Sequence, residues 1–355
     1  MVTMRQVAAE AGVSYTTVSF VINGNDTARG IGAVTRERVL ETAKRLGYRH
    51  NRLARAVSTG KSKVLAVAVQ TLSVEFRARI LSGVLEAAEE AGYFVKVVEL
   101  AEWDIPREKI EQLVESRVAG VIAVNLEPES LKRLRQEVGR YGGLVAAVDD
   151  INPQDCGICI SSDNAGGMQA AFEHLRALGH QKIALLSGPE NSALVRERYQ
   201  AFVELMKRDG LLGFPAVETE ESWNLTEEKE AQICAILNSH DRPTAFLCMG
   251  DLLAMRVLRI ARSLGLEVPR DLSLVGYGDF AIAEVAVPSI STISQPFHQM
   301  GLVSTLQLLR ALEAQSQAAS DSEVADDALA NFTEILPVHL IARESSGPAP
   351  TQVRL

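Results

Sequence analysis

The chain of 355 residues is 47% hydrophobic and 23% charged, apolar enough for two or three domains with buried cores and too apolar for a disordered chain. No run reaches the ~18 uncharged apolar residues of a membrane span. Met1-Val2-Thr3-Met4-Arg5 lacks the apolar block of a secretion signal, and four cysteines do not make a disulfide framework. These features predict a cytoplasmic protein with no membrane partner. A net charge of −9 argues at first against nucleic acid, yet residues 1–63 carry 11 Lys and Arg against 4 Asp and Glu, and the remaining 292 carry 25 against 41. A small basic head on a large acidic body is the footprint of a nucleic-acid-binding module joined to something else.

The head opens with a capping box, Thr3 facing Gln6, ahead of a helix whose inward side is Val7, Ala8 and Ala11 and whose stop is Gly12. Ser14 is placed to cap a second helix with Val18, Val21 and Ile22 inward, ended by Asn23-Gly24-Asn25-Asp26. Thr35 is expected to cap a third, with Val39, Leu40, Ala43 and Leu46 inward. Helix, short turn, helix is the helix-turn-helix arrangement, whose second helix enters the major groove.

From Val64 the pattern changes. Apolar strands at 64–69, 94–100, 118–124, 144–148 and 158–161 alternate with helical stretches at 75–91, 108–116 and 129–141. A second series starts with a helix at 165–178 and has strands at 183–186, 246–249 and 272–277. Continuous apolar strands between helices mean α/β architecture, and two series mean two parallel sheets with ligands at their carboxyl ends. Ala314–Ala330, rich in Ala, Ser, Asp and Gln, is expected to be a loose connection, and the tail 344–355 disordered.

An ordered set of segments carries a family likeness: Val13-Ser14-Tyr15-Thr16-Thr17-Val18-Ser19, Thr35-Arg36-Glu37-Arg38-Val39, Leu46-Gly47-Tyr48, Asn51-Arg52-Leu53-Ala54-Arg55, Gly179-His180-Gln181-Lys182-Ile183-Ala184, Arg198, Asp251, Val275-Gly276-Tyr277 and Ser291-Thr292-Ile293. With these the chain resembles the lactose-repressor (LacI) family over almost its whole length. The resemblance implies a helix-turn-helix DNA-binding domain at 1–49 and a hinge helix and linker at 50–62. It implies a two-lobed core like a type I periplasmic binding protein, with lobe one at 63–161 and 291–325 and lobe two at 162–290 and 326–343. A homodimer would bind a palindromic operator in double-stranded DNA, and a small effector, a sugar or sugar acid, would control it from between the lobes. The function implied is a transcription regulator, a repressor, not an enzyme and with no cofactor.

Tyr15 and Thr16 open the second helix, where side chains reach base edges, and the resemblance makes both base readers with Phe20 a third. Relatives often carry Arg where Phe20 stands; Phe would favour a thymine methyl or an unstacked step. Thr3, Ser14, Thr17, Ser19 and Asn23 complete the implied DNA face. Residues 50–58 match the hinge, with Val57 as a short minor-groove wedge and Arg52 and Arg55 on phosphates. The connection 23–35 is longer than usual, and Gly30-Ile31-Gly32 is expected to bulge near the DNA backbone.

The resemblance places Phe76, Asp149, Arg198, Trp223 and Asp251 on the effector cleft. Carboxylates with Arg bind vicinal hydroxyls, and an aromatic face covers a sugar's C–H side. Asp251 has an alternative role as a helix cap. After Val275-Gly276-Tyr277, relatives often place Asp; here it is Gly278, so either Asp279 takes over or the ligand needs no acceptor there. Gly60-Lys61-Ser62 lacks the earlier glycine and preceding strand of a phosphate loop, and Cys156-Gly157-Ile158-Cys159 stands without a second pair for zinc. Two other readings remain. A solute-binding protein on the same core is disfavoured by the basic head, and an enzyme with two nucleotide-binding-type lobes by the missing G-x-G-x-x-G.

Overall fold

The computed structural model describes residues 2–22, 30–48, 62–100, 105–149, 157–188, 192–211, 216–219, 225–321 and 332–351. Asn23, Arg52, Arg55, Val57, Trp223 and Cys156 lie outside the described residues. The chain divides into two compact units, 1–62 and 63–355.

The first unit holds α1 (Met4–Ala11), α2 (Tyr15–Ile22) and α3 (Ala33–Arg45). Thr3 and Gln6 close the capping box as expected, and Gly12, at φ 63°, ends α1 with its amide on Ala8 and Ala9 carbonyls. The Ser14 hydroxyl accepts from the Thr17 amide at 3.0 Å, capping α2. Val7, Ala8, Ala11, Val18, Val21, Val39 and Ala43 make the small core. One expectation fails here. The third helix starts at Ala33 with Gly32 as its N-cap, so Thr35 is already inside the first turn. Gly30-Ile31-Gly32 does not bulge as a spare loop; Ile31 packs against the head's core and Gly32 begins the helix.

The second unit runs β1 (Val64–Gln70), α4 (Glu75–Glu90), β2 (Phe94–Leu100), α5 (Arg107–Glu115), β3 (Gly120–Val124), α6 (Pro128–Gly139), β4 (Leu144–Val148), β5 (Ile158–Ser162), α7 (Asn164–Ala177), β6 (Ile183–Ser187), α8 (Ala193–Arg208), β7 (Ala216–Glu218), α9 (Glu227–Asn238), β8 (Ala245–Cys248), α10 (Asp251–Ser263), β9 (Ser273–Gly278), α11 (Ala281–Val285), β10 (Ser291–Ser294), α12 (Phe297–Asp321), β11 (Phe332–Leu336) and β12 (His339–Ile341). They form two six-stranded sheets, ordered β11-β5-β4-β3-β1-β2 and β12-β10-β9-β8-β6-β7. The first is wholly parallel; in the second only β12 runs antiparallel, against β10.

The inner strands are buried on both faces, which is why they read as unbroken apolar runs, whereas the edge strands β2 and β11 alternate with exposed positions. In β1, Leu65, Val67 and Val69 face α4 and α12, while Ala66 and Ala68 face the side covered by α5 and α6. In the second sheet α7 and α8 cover one face and α9 and α10 the other.

The lobe boundaries differ from those expected. β10 pairs with β9 and belongs to lobe two, whereas β11 pairs with β5 and belongs to lobe one. Lobe one therefore ends its return passage at Leu336 rather than within the 320s. The stretch 314–330 is not a loose connection throughout, since α12 continues to Asp321. Its Ala and Gln residues are strong helix formers. Of the tail 344–355 expected to be disordered, residues 344–349 are instead bonded into the core. Ser345 is fully buried and the Leu274 amide donates to its carbonyl. His180 contacts the Gly347 carbonyl at 3.0 Å, and the Ala349 amide donates to Leu178. Small polar residues suit this path: the Ser345 hydroxyl donates to the Leu274 carbonyl at 2.7 Å and accepts from the Ser291 amide at 2.8 Å.

Helices α4 and α12 cross at two glycines. A Cβ at Gly83 would run into the His298 carbonyl, and one at Gly301 into the Ile80 carbonyl. Backbone cannot swing aside as a side chain can, so Gly83→Ala is expected to lower the core's unfolding free energy by about 2 kcal/mol or more. Urea denaturation measures this, and an unchanged midpoint would show that the helices part freely.

Candidate functional site

In the head, α2 presents its first turn to solvent. Tyr15 is 53% exposed and Thr16 is exposed beside it, while Val18 and Val21 anchor the opposite side. Ser14 and Thr17 share a hydroxyl contact at 2.8 Å, so the cap fixes the turn from which Tyr15 and Thr16 project. Thr3 is exposed but engaged in its capping box. Ser19 and Phe20 are half-buried further along α2. Arg5, Arg36, Arg38, Lys44 and Arg45 lie exposed on this unit, with Arg45 bridged to Glu10 at 2.9 Å.

In the core, the chain passes between the sheets three times, after β5, β10 and β11. Each passage leaves the carboxyl end of a parallel strand, so the carboxyl edges of the two sheets face one another. The passages are tied together: the Gln295 side chain donates to the Ser162 hydroxyl at 2.7 Å, and the Asp163 amide to the Leu336 carbonyl at 2.9 Å.

On the lobe-one edge, Gln70 ends β1, Asn125 follows β3 and Asp149 follows β4. Asn125 and Asp149 take left-handed backbone angles, φ 50° and 62°. The Asn125 amide group reaches an Asp149 carboxylate oxygen at 3.5 Å. Arg77, buried, donates to the Gln70 side chain at 2.5 Å and to the Thr71 carbonyl at 3.1 Å, with its guanidinium 5.0 Å from the Phe76 ring centre. Burial lowers the Arg77 pKa to about 10, and Asp149 opposes that fall.

On the lobe-two edge, Arg198 is 3% exposed and lies 3.7 Å from the Tyr277 ring centre. It donates to the Asn164 side-chain oxygen at 2.7 Å and to the Met249 carbonyl at 3.3 Å. Asn164 in turn donates to Glu197 at 2.9 Å, and burial raises the Glu197 carboxyl. Burial pushes the Tyr277 hydroxyl up to about 12; Arg198 opposes this, and Asp149 adds to it from the other lobe. Arg198, Tyr277, Asp149 and Arg77 thus form an electrostatic chain across the two edges. Arg198 is a structural member of its lobe as well as a candidate ligand contact, so truncating it would cost stability in its own right.

Asp251 is fully buried and does not cap a helix: Gly250 is the N-cap of α10 and Asp251 its first residue. One carboxylate oxygen accepts from the Phe280 amide at 2.7 Å and the other from the Thr292 hydroxyl at 2.5 Å. Asp279 accepts from Arg343 at 2.7 Å. The carboxylates expected to grip hydroxyls at this end are therefore engaged within the protein, and Gly278 offers none. Phe76 packs on Phe297 with ring centres 5.5 Å apart. Arg77, Gln70, Asn125, Asn164 and Tyr277 were not among the residues expected at the cleft from the sequence. Gln70 and Asn125 carry a readable signal, a polar residue at or directly after the end of a buried strand. His180, at the heart of a conspicuous motif, is structural, held by Thr244 at 2.9 Å and Ser273 at 3.1 Å.

Burial raises the Asp251 carboxyl to about 6, with its two hydrogen bonds opposing the shift. The folded state thus holds a proton that the unfolded chain releases at lower pH. Asp251's contribution to stability is greatest below the unfolded value near pH 4 and falls as pH rises to about 6, by roughly 3 kcal/mol in total. In Asp251→Asn the amide oxygen can accept from Phe280 and the amide nitrogen donate to Thr292, so that fall is expected to disappear. Denaturant titrations of both proteins between pH 4 and 7 check this; identical pH slopes would contradict it.

Comparison with known proteins places these features. A family model of bacterial regulatory proteins, lacI family, matches residues 3–51, and one of a periplasmic binding protein-like domain matches 172–346. The lactose operon repressor of Escherichia coli (strain K12) is 30% identical over 99% of this chain and 92% of its own length. The regulator CelR of Thermobifida fusca is 33% identical over 84% of this chain and 88% of its own. Among solved structures, the lac repressor dimer bound to operator and the anti-inducer ONPF superposes with a TM-score of 0.82 at 28% identity, covering 98% of this chain and 99% of that one. The CelR–cellobiose complex gives 0.64 at 26% identity over 97% and 100%. A head and a two-lobed core matched in one order along nearly the full length leave one assignment: the chain belongs to the LacI family of bacterial transcription regulators.

Proposed function

We propose that the protein is a transcriptional repressor that acts as a homodimer on a palindromic DNA operator and is controlled by a small effector held between the lobes. The observation that carries the DNA half is the exposed first turn of α2, with Tyr15 and Thr16 outward on a basic unit. A palindrome supplies two half-sites, which a two-fold dimer meets with two heads. Thr3, Ser14, Thr17, Ser19, Phe20 and Asn23 complete the proposed DNA face, with Arg52, Arg55 and Val57 from the hinge. Relatives include a lactose operon repressor, a ribose operon repressor and the transcriptional repressor PurR, which supports a sugar, a sugar acid or another small metabolite as the effector class. Asp149 and Arg198 on opposite edges are its proposed polar contacts, with Phe76 and Trp223 as apolar faces. Asp251 and Asp279 shape the pocket through their protein partners.

Selection of binding sites from genomic fragments tests the reading. The full chain is expected to enrich an inverted repeat, and residues 63–355 alone to enrich nothing. If a dimer neutralises ~8 phosphates, log K falls against log[salt] with a slope near −7. A slope shallower than about −2, or DNA binding retained by the core alone, would contradict it.

A further inference from the structure

Among the described residues, two contacts join the lobes besides the hydrogen bonds between the chain passages. Glu75 is the first residue of α4 in lobe one, and both its carboxylate oxygens accept from the amide of Ala281, the first residue of α11 in lobe two, at 3.1 and 3.2 Å. The same carboxylate pairs with Arg79 at 2.5 Å, one turn along α4, which fixes the side chain that reaches across. Beside it, the ring of Phe280, from lobe two, packs against the core of lobe one. It stacks on Phe297 with ring centres 6.1 Å apart, and Phe297 continues to Phe76 at 5.5 Å.

The loop that carries Phe280 and Ala281 is held firmly on its own side. Asp251 takes the Phe280 amide, and Arg343 takes the Asp279 carboxylate. Gly278, at φ 126°, makes room for the ring: a Cβ there would meet Phe280 ring atoms at 2.9 Å. The missing side chain at 278 and the crossing of Phe280 are therefore one feature. A carboxylate at that position and this ring position exclude each other.

We propose that Glu75 and Phe280 form a latch that joins the two lobes and governs how readily the cleft between them opens. A charge-assisted hydrogen bond to a backbone amide supplies the direction, and the three-ring stack supplies the apolar contact that is lost when the lobes part. Opening must break both together, because Ala281 and Phe280 are adjacent on one anchored loop. The consequence for effector entry rests on the cleft being the effector site, but the latch itself is tested without any ligand. Failure of the latch would leave that reading standing on its DNA-selection test.

The experiment is hydrogen exchange on the full chain without ligand, comparing wild type with Glu75→Ala and Phe280→Leu. Glu75 is about a third exposed at its side chain, 35%, so its truncation leaves the fold in place. In either variant, exchange is expected to speed up by about 10-fold on both facing edges, residues 70–77 and 277–285, with β3 and β8 unchanged as reporters of the intact sheets. Acceleration confined to residues 280–282, or no acceleration in Glu75→Ala, would reduce these contacts to local ones and overturn the latch.

Discussion

Three passages of the chain between two sheets, hydrogen-bonded to one another, are the constraint on which the core depends. Ser162 is bound by Gln295, and Asp163 by Leu336, so the first passage is tied to both of the others. A strap of this kind resists sliding of the lobes and allows bending, because rotation about closely bonded strands disturbs few contacts elsewhere. It also dictates where a ligand can bind. Every strand that leaves its sheet for the other lobe does so from its carboxyl end, and loops at carboxyl ends are where parallel sheets place their polar side chains. Asp149, Asn125 and Gln70 occupy that edge in lobe one, and Tyr277 and the Gly250–Asp251 turn occupy it in lobe two.

Two of the buried charges there, Arg198 and Asp251, are held in place by partners within the protein. Arg198 binds Asn164, the Met249 carbonyl and the Tyr277 face; Asp251 binds a backbone amide and a hydroxyl. Removing one member of such a set leaves the others desolvated, which costs more than the bond was worth. Rigid side chains lose little freedom when a ligand arrives, so the same packing that stabilises the lobe prepares the site. A site whose acceptors at one end are internally engaged discriminates by shape and by the few groups still turned outward.

Much of this was legible in the residues. The capping box Thr3–Gln6, the Ser14 cap, the buried strands and the alternating helices follow from short-range rules, and the structure places them within a residue or two of the expected bounds. Illegible parts depend on partners far along the chain. Nothing local marks Ser345 or Gly347 as buried, because what buries them is the edge beside Leu274 and His180. Nothing local assigns β10 to lobe two and β11 to lobe one, since short strands take their sheet from long-range pairing. Thr35 was a reasonable cap by type, but Gly32 precedes it and the core takes Ile31. Nothing local marks Arg77 as buried either, and only the fold turns it inward toward Gln70 and Asp149.

Coupling between DNA at the head and a ligand in the core's cleft is reciprocal: if a ligand in the cleft alters DNA affinity, DNA must alter the cleft. Hydrogen exchange of the full chain with and without its selected operator measures that without knowledge of the effector. Changed exchange is expected at the cleft edges around Asp149, Arg198 and residues 279–281 as well as in the head. Changes confined to residues 1–62, with the core's exchange identical in both states, would contradict it.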